Sequence, residues 1–276
     1  MAYKSLLTVL TDQSMVKGAL AVAVTLARRM DAHLDVLCLG IDQTQAVGFY
    51  PGSSIVLLDQ TIQAAQEDAA ALGTAARNLL EQEDVRWSIE DGAAPMAGLS
   101  QLVAERARYC DLLLALRPTK RNRDAESVIE AALFSGQIPV LLLPSAAPPQ
   151  SWQHIVLGWD ESNEALRAVR AALPLLQAAK SLSIAIIDPP TYGPERSDPG
   201  GALSQMLARH GVNAEISVLA RTLPTLADEL NRHVRDRGAD LVVMGAYGHS
   251  RLREAVLGGA TRGMMEQAEV AVFMAH

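Results

Sequence analysis

Residues 153–162, "QHIVLGWDES", and residues 4–14, "KSLLTVLTDQS", follow one plan. Each is an apolar run that ends on an acid, Asp160 or Asp12, with a serine two residues further on. An apolar run without alternation reads as a strand buried on both faces, the pattern of a parallel sheet covered by helices. An Ala/Leu-rich segment with helical spacing follows each run, over residues 15–30 and 163–179. Ser14 and Ser162 stand where N-caps belong. This duplication decides the fold, because the rest of each half keeps step with it.

Working outward, each helix leads to a second apolar run, "HLDVLCLG" (33–40) and "SLSIAIID" (181–188). Mixed runs follow, "VRWSIEDG" (85–92) and "NAEISVLA" (213–220), then the charged amphipathic segments "LSQLVAERAR" and "LADELNRHVRDRG". Next come "CDLLLAL" and "ADLVVMG", in which Asp111 matches Asp240, and each half closes on a helix and a final strand, "IPVLLLP" and "VAVFMAH". Strands alternating with helices of this length imply parallel pairing through right-handed crossovers. The expected fold is α/β: two open five-stranded parallel-sheet domains, Rossmann-like, in tandem and related by a pseudo-two-fold. The Pro-, Ser- and Ala-rich join "PSAAPPQSW" sets the boundary near residue 148, giving domains 1–148 and 149–276. The halves differ most in their second loop, which is long in the first, "DQTQAVGFYPGSSIVLLDQTIQ", and short in the second, "PPTYGPERSDPGG".

Hydrophobic residues make up 49 % of the 276-residue chain and charged residues 20 %, enough for a substantial core. The formal net charge of -7 argues against a general nucleic-acid binder. The two cysteines, Cys38 and Cys110, sit in apolar runs and read as buried thiols. No run has the length of a membrane span, and no leader segment is visible, so the expectation is a soluble, cytoplasmic protein. The six histidines are scattered, without H-E-x-x-H or a Cys/His cluster, so no metal site is expected from them.

The chemistry concentrates in "ADLVVMGAYGHSRLREAVLGGATRG", residues 239–263. Gly245 ends a strand, and a helix starts soon after Gly258. Ligands of open α/β sheets bind beyond the C-terminal strand ends. Glycine lets backbone come close to a ligand, and a helix N-terminus offers N–H groups with a positive dipole end, so the combination suits phosphate. Ser250, Thr261, His249, Arg251 and Arg253 lie in or beside the loop. Neither a Walker A loop nor G-x-G-x-x-G is present.

The spacing Gly245, two residues, Gly248, nine residues, Gly258 resembles the G-x2-G-x9-G-(S/T) signature of the universal stress protein family. The resemblance covers nearly the whole chain as two copies. It implies ATP or another adenylate in the second half, alone or with Mg²⁺. Asp160 and Gly158 would lie near adenine and ribose, Ile186 would pack on the base, and Met244 and Gly245 would flank the ribose. Gly248, Gly258, Gly259, Ala260 and Thr261 would hold the phosphates. Gly259 departs from the signature, where Ser or Thr is usual, and costs one hydroxyl. Asp160 and Asp188 end adjacent strands, either as a pair able to hold Mg²⁺ or with Asp188 simply starting a turn.

In the first half, alignment of the closing helices puts Leu116 at Gly245, Thr119 at Gly248, Glu126 at Gly258 and Ser127 at Gly259. A carboxylate at a phosphate position repels an anion, so this half is not expected to bind ATP. Lys120, Arg121 and Arg123 leave its loop basic, either as a docking patch or as a solvated loop. Asp12 either caps its helix or holds its turn. Family members commonly pair through the last strand, so the tandem chain resembles an intrachain dimer with "IPVLLLP" against "VAVFMAH"; a homodimer of chains is also compatible. The expected function is a regulatory stress-response protein with an adenine nucleotide and a protein partner. Alternatives are an interaction module without nucleotide, a slow ATPase, and, last, a ligase of the related α-hydrolase group. No residue reads as a strong general base, so hydrolysis is expected to be weak or absent.

Overall fold

The computed structural model describes residues 3–42, 55–119, 124–144, 151–189, 198–247 and 259–276. Contacts divide the chain into two units, Ala2–Ile138 and Pro139–His276.

The first unit runs β1 (Ser5–Leu10), α1 (Gln13–Met30), β2 (His33–Asp42), α2 (Ile55–Leu80), β3 (Arg86–Pro95), a 3-10 turn (Met96–Gly98), α3 (Leu99–Ala107), β4 (Leu112–Leu116), α4 (Asp124–Glu130) and a π turn (Ala131–Gly136). Its strands lie in the order β3-β2-β1-β4, all parallel. The second unit begins with β5 (Val140–Leu143) and β6 (His154–Gly158), then α5 (Asn163–Ala178), β7 (Ser181–Ile187), α6 (Gly201–Arg209) and β8 (Glu215–Leu219). It continues with α7 (Leu226–Arg237), β9 (Leu241–Gly245), α8 (Ala260–Gln267) and β10 (Ala271–Ala275). Its order is β5-β10-β9-β6-β7-β8, parallel except for β5.

The apolar runs become central strands for the expected reason. All five residues of β10 are buried, as are four of the five in β9, because helices cover both faces. Helix α5 buries Ala165, Ala168, Val169, Ala172, Leu175 and Leu176, one stripe at 3.6 spacing, and starts where Ser162 Oγ accepts from Ala165 N at 3.1 Å. Helix α7 starts on a reciprocal capping box between Thr225 and Asp228 and stops at Gly238, φ 58°.

The matched acids Asp111 and Asp240 perform the same task twice. Asp111 Oδ2 accepts from Lys4 N at 2.7 Å and Ser5 N at 3.0 Å. Asp240 accepts from Gln153 N at 2.8 Å and His154 N at 3.2 Å. Each carboxylate satisfies two amides at the start of a strand, β1 or β6, and pins that strand to the one beside it, β4 or β9.

Three expectations change. Ser14 is not a cap: Asp12 is the N-cap of α1 and accepts from Ser14 N at 2.7 Å and Ser14 Oγ at 2.5 Å. The long second loop of the first half is shorter than its composition suggests, because α2 already begins at Ile55. The contact division falls at 138/139, ahead of the sequence boundary near 148. The reason is β5, which pairs antiparallel with β10 in the register Leu142↔Val272, Leu141↔Phe273 and Val140↔Met274. "IPVLLLP" thus lies against "VAVFMAH", and the apolar edge of β10 is covered.

Candidate functional site

The C-terminal edge of the second unit's sheet is built by β9, β6 and β7, which are neighbours. Gly158 on β6 is level with Met244 on β9 and with Ala185 on β7. The tips of these strands therefore bring Gly158, Met244, Gly245 and Ile186 into one row. Met244 is 7 % exposed and Ile186 4 %, so both belong to the apolar floor. Gly158 tolerates a Cβ, which would meet Met244 Cβ at 3.6 Å and Leu230 Cδ2 at 3.7 Å.

Gly245 is different. A Cβ there would stand 2.5 Å from Ala165 N and 2.8 Å from Glu164 C, both backbone. The first turn of α5 packs directly on the end of β9, and only glycine leaves room for it. Past Gly245 the chain turns through Ala246, whose N–H bonds Ala275 O at 2.8 Å, to Tyr247 at φ 57°. Tyr247 N donates to Thr261 Oγ1 at 3.0 Å, and Thr261 is 3 % exposed. The Thr261 hydroxyl thus ties the strand end to the first turn of α8, and its oxygen is already used as an acceptor by the chain.

Helix α8 begins at Ala260 with Gly259 as N-cap and no side-chain capping bond, whereas α5 and α7 are capped by Ser162 and Thr225. Its first turn presents backbone N–H groups and the positive dipole end toward the loop from β9. Gly248, Gly258, Ser250, His249, Arg251 and Arg253 lie outside the described residues.

Asp160 is exposed and sits one residue past Trp159 at the tip of β6. Its Oδ1 accepts from Ser162 N at 3.1 Å and Ser162 Oγ at 2.6 Å, the arrangement that Asp12 makes with Ser14. The hydroxyl and backbone bonds from Ser14 lower the carboxyl pKa of Asp12. Asp188 adopts φ 49° and accepts from Arg221 N at 3.2 Å, so it ties the end of β7 to the segment after β8. Asp160 spends an oxygen on its own turn, and Asp188 spends one on that distant segment. Among the described residues, no three His, Cys, Asp or Glu side chains converge as metal ligands.

Sequence reading passed over three groups at this edge. The indole N–H of Trp159 is buried without a hydrogen-bond partner among the described residues. Its only signal was its place between Gly158 and Asp160. Tyr247 takes a left-handed conformation, φ 57°, just after Ala246. Glu229, fully buried, accepts at Oε1 from Leu223 N at 3.0 Å and Thr222 Oγ1 at 2.8 Å, and pairs with Arg232 at 2.5 Å. Burial raises its carboxyl pKa, but the hydrogen bonds from Thr222 and Leu223 and the Arg232 charge outweigh this and lower it. Glu229 thus ties Thr222 and Leu223, after β8, to α7.

At the corresponding edge of the first unit the described residues leave a small cavity, lined by Thr8, Thr11, Met15, Leu114, Leu116 and Ala125 among others, of about 20 Å³. That is room for about one water. Helix α4 carries Asp124 and Glu126 in its own first turn, where an anion would otherwise sit. Burial, and then the neighbouring Asp12, raise the Asp124 carboxyl pKa. Lys120, Arg121 and Arg123 lie outside the described residues. No helix among the described residues is long and apolar enough to cross a membrane.

Residues 151–276 match the model of the Universal stress protein family. No curated protein matches the chain. Among solved structures, a universal stress protein from Archaeoglobus fulgidus DSM 4304 is 13 % identical, with 99 % of this chain and 96 % of that one covered and a TM-score of 0.67. A putative universal stress protein from Pseudomonas aeruginosa UCBPP-PA14 is 18 % identical, with 99 % and 93 % covered and a TM-score of 0.60. These two likenesses show that the fold extends over both halves. A universal stress protein in complex with cAMP is 26 % identical over 46 % of this chain and 98 % of its own, at a TM-score of 0.36.

Proposed function

Because residues 151–276 belong to the universal stress protein family, we propose that the second half binds ATP or another adenine nucleotide and acts as a regulatory stress-response protein in the cytoplasm. The repeat units in this reading are residues 1–148 and 149–276. The observation that carries it is the start of α8. An N-terminus without a side-chain cap, beginning on Gly259, is tied beside the tip of β9 by the Tyr247–Thr261 bond. Backbone N–H groups there suit phosphate, with Gly248, Gly258, Ala260 and Thr261 alongside. The floor of Gly158, Ile186, Met244 and Gly245 suits adenine and ribose, with Asp160 at the rim. Any Mg²⁺ would be held chiefly by the phosphates, since Asp160 already serves its own turn and Asp188 the segment after β8.

Protein purified without added ligand is expected to release ATP or AMP, identified by mass spectrometry. Gly258→Glu puts a carboxylate among the phosphates and is expected to weaken retention about tenfold or more. At a ligand concentration 100 times Kd, binding adds about 2.7 kcal/mol to wild-type stability, visible as a raised Tm. Unchanged retention in Gly258→Glu would overturn the site.

A second reading, an interaction module without nucleotide, draws on two observations. The Thr261 oxygen already accepts from Tyr247, and Gly245 serves the packing of α5. Under that reading no adenine nucleotide at millimolar concentration raises the Tm.

A further inference from the structure

The first unit contains a cleft of about 350 Å³ that plays no part in the nucleotide reading. It opens between the C-terminal end of α3 and the face of β1, β2 and β3, and its volume falls within the usual range for small-molecule sites, roughly 300–1,000 Å³. Leu7 and Leu37 give it an apolar floor, and Asp35 and Ser88 give it a polar wall. Cys110 and the ring of Tyr109, 79 % exposed, stand at the end of α3.

The second unit shows what fills the counterpart of this layer. With Asp111 matched to Asp240, Ala104 of α3 takes the place of His233 of α7. His33 lies opposite Ser5 at the start of β1 and Ser181 opposite His154 at the start of β6, so Asp35, two residues on, takes the place of Ser183. In the second unit His233 Nε2 and Ser183 Oγ lie 2.9 Å apart, Ser183 and Ser217 are 3.1 Å apart, and Arg237 donates to Ser217 Oγ at 2.9 Å. In the first unit α3 is nine residues long against twelve for α7, and the Asp35 carboxylate lines the cleft.

Charge selects the ligand. Asp35 accepts from Ser5 Oγ at 3.0 Å, Ser88 Oγ at 2.5 Å and, weakly, the Cys110 thiol at 3.7 Å. Among the described residues its ion-pair partner is His33, 3.6 Å away. Arg106 is already paired with Glu90, so those two charges cancel. The cleft therefore carries the negative charge of Asp35 over an apolar floor, with an exposed aromatic ring beside it, a combination that favours a cation on an apolar body. We propose that the cleft between α3 and β1–β3 binds a small organic amine, its ammonium group on Asp35 and its apolar part against Leu7 and Leu37.

The test is calorimetric titration of the full-length protein with tyramine at pH 8, beside its uncharged alcohol analogue and its carboxylate analogue. Tyramine is expected to bind at least about tenfold more tightly than either analogue. Asp35→Asn should weaken tyramine about tenfold or more and leave the alcohol little changed. Tyr109→Ala removes the exposed ring from the lining and should weaken tyramine severalfold while the Tm is kept. It tests the site even if Asp35→Asn fails to fold. Equal binding of tyramine and the alcohol, unchanged binding in either folded variant, or no binding at 10 millimolar (on the order of the weakest useful affinity) would each overturn the proposal.

Discussion

At the scale of single residues, chain-specific contacts decide what a motif position does. Gly245 belongs to the glycine signature, yet its missing side chain is first required by the backbone of α5, 2.5 Å from where a Cβ would stand. Gly245→Ala is expected to destabilise the protein by about 1–3 kcal/mol in chemical denaturation, whether or not nucleotide is present, because backbone must shift to admit the methyl. An effect seen only with nucleotide would instead make Gly245 a ligand contact. Thr261 makes the same point from the polar side: its hydroxyl oxygen organises the loop before it can meet a phosphate. Neither use is visible in the sequence, since both partners, Ala165 and Tyr247, are distant along the chain.

At the scale of elements, the two units solve one packing problem with different side chains. Helix α7 covers the β7–β8 face with His233, 6 % exposed and bonded to Ser183. Burial lowers the His233 pKa below its ordinary value, helped by the Arg237 and Arg232 charges and opposed by Asp236 and Glu215. A depressed imidazole pKa means that the unfolded chain takes up the proton first. The stability contributed by neutral His233 is thus present above the unfolded pKa, about 6.5, and is lost as pH falls through it toward the lower folded value. His233→Gln cannot titrate, so the Tm gap between wild type and this variant should narrow from pH 7.5 to pH 5 (about the range of imidazole titration). Parallel Tm curves for the two proteins would remove His233 from the acid sensitivity.

At the scale of the molecule, the assignment of β5 matters most. Four residues from the first repeat, Val140–Leu143, pair with β10 and close its apolar edge. A chain cut at the repeat boundary, residues 149–276, exposes the edge of "AVFMA" and is expected to self-associate. A chain cut at the contact boundary, residues 139–276, keeps the β5–β10 pairing and is expected to self-associate less strongly. Sedimentation velocity separates the two, and identical behaviour would show that β5 does not protect that edge.

The sequence by itself determined the duplicated α/β plan, the succession of strands and helices along each repeat, and the two acids just past β1 and β6. These rest on local pattern: apolar runs, helical spacing and turn chemistry repeated in step. It also supplied the expectation that the first half does not bind ATP, because Glu126 aligns with Gly258. Only the tertiary structure decided which glycine serves packing, which hydroxyl is already used, to which unit β5 belongs, and that Asp35 lines a cleft in the first unit while Ser183 is covered by His233 in the second. Each of these depends on atoms brought within a few ångströms from sequence separations of tens to more than a hundred residues, a closeness that no local pattern encodes.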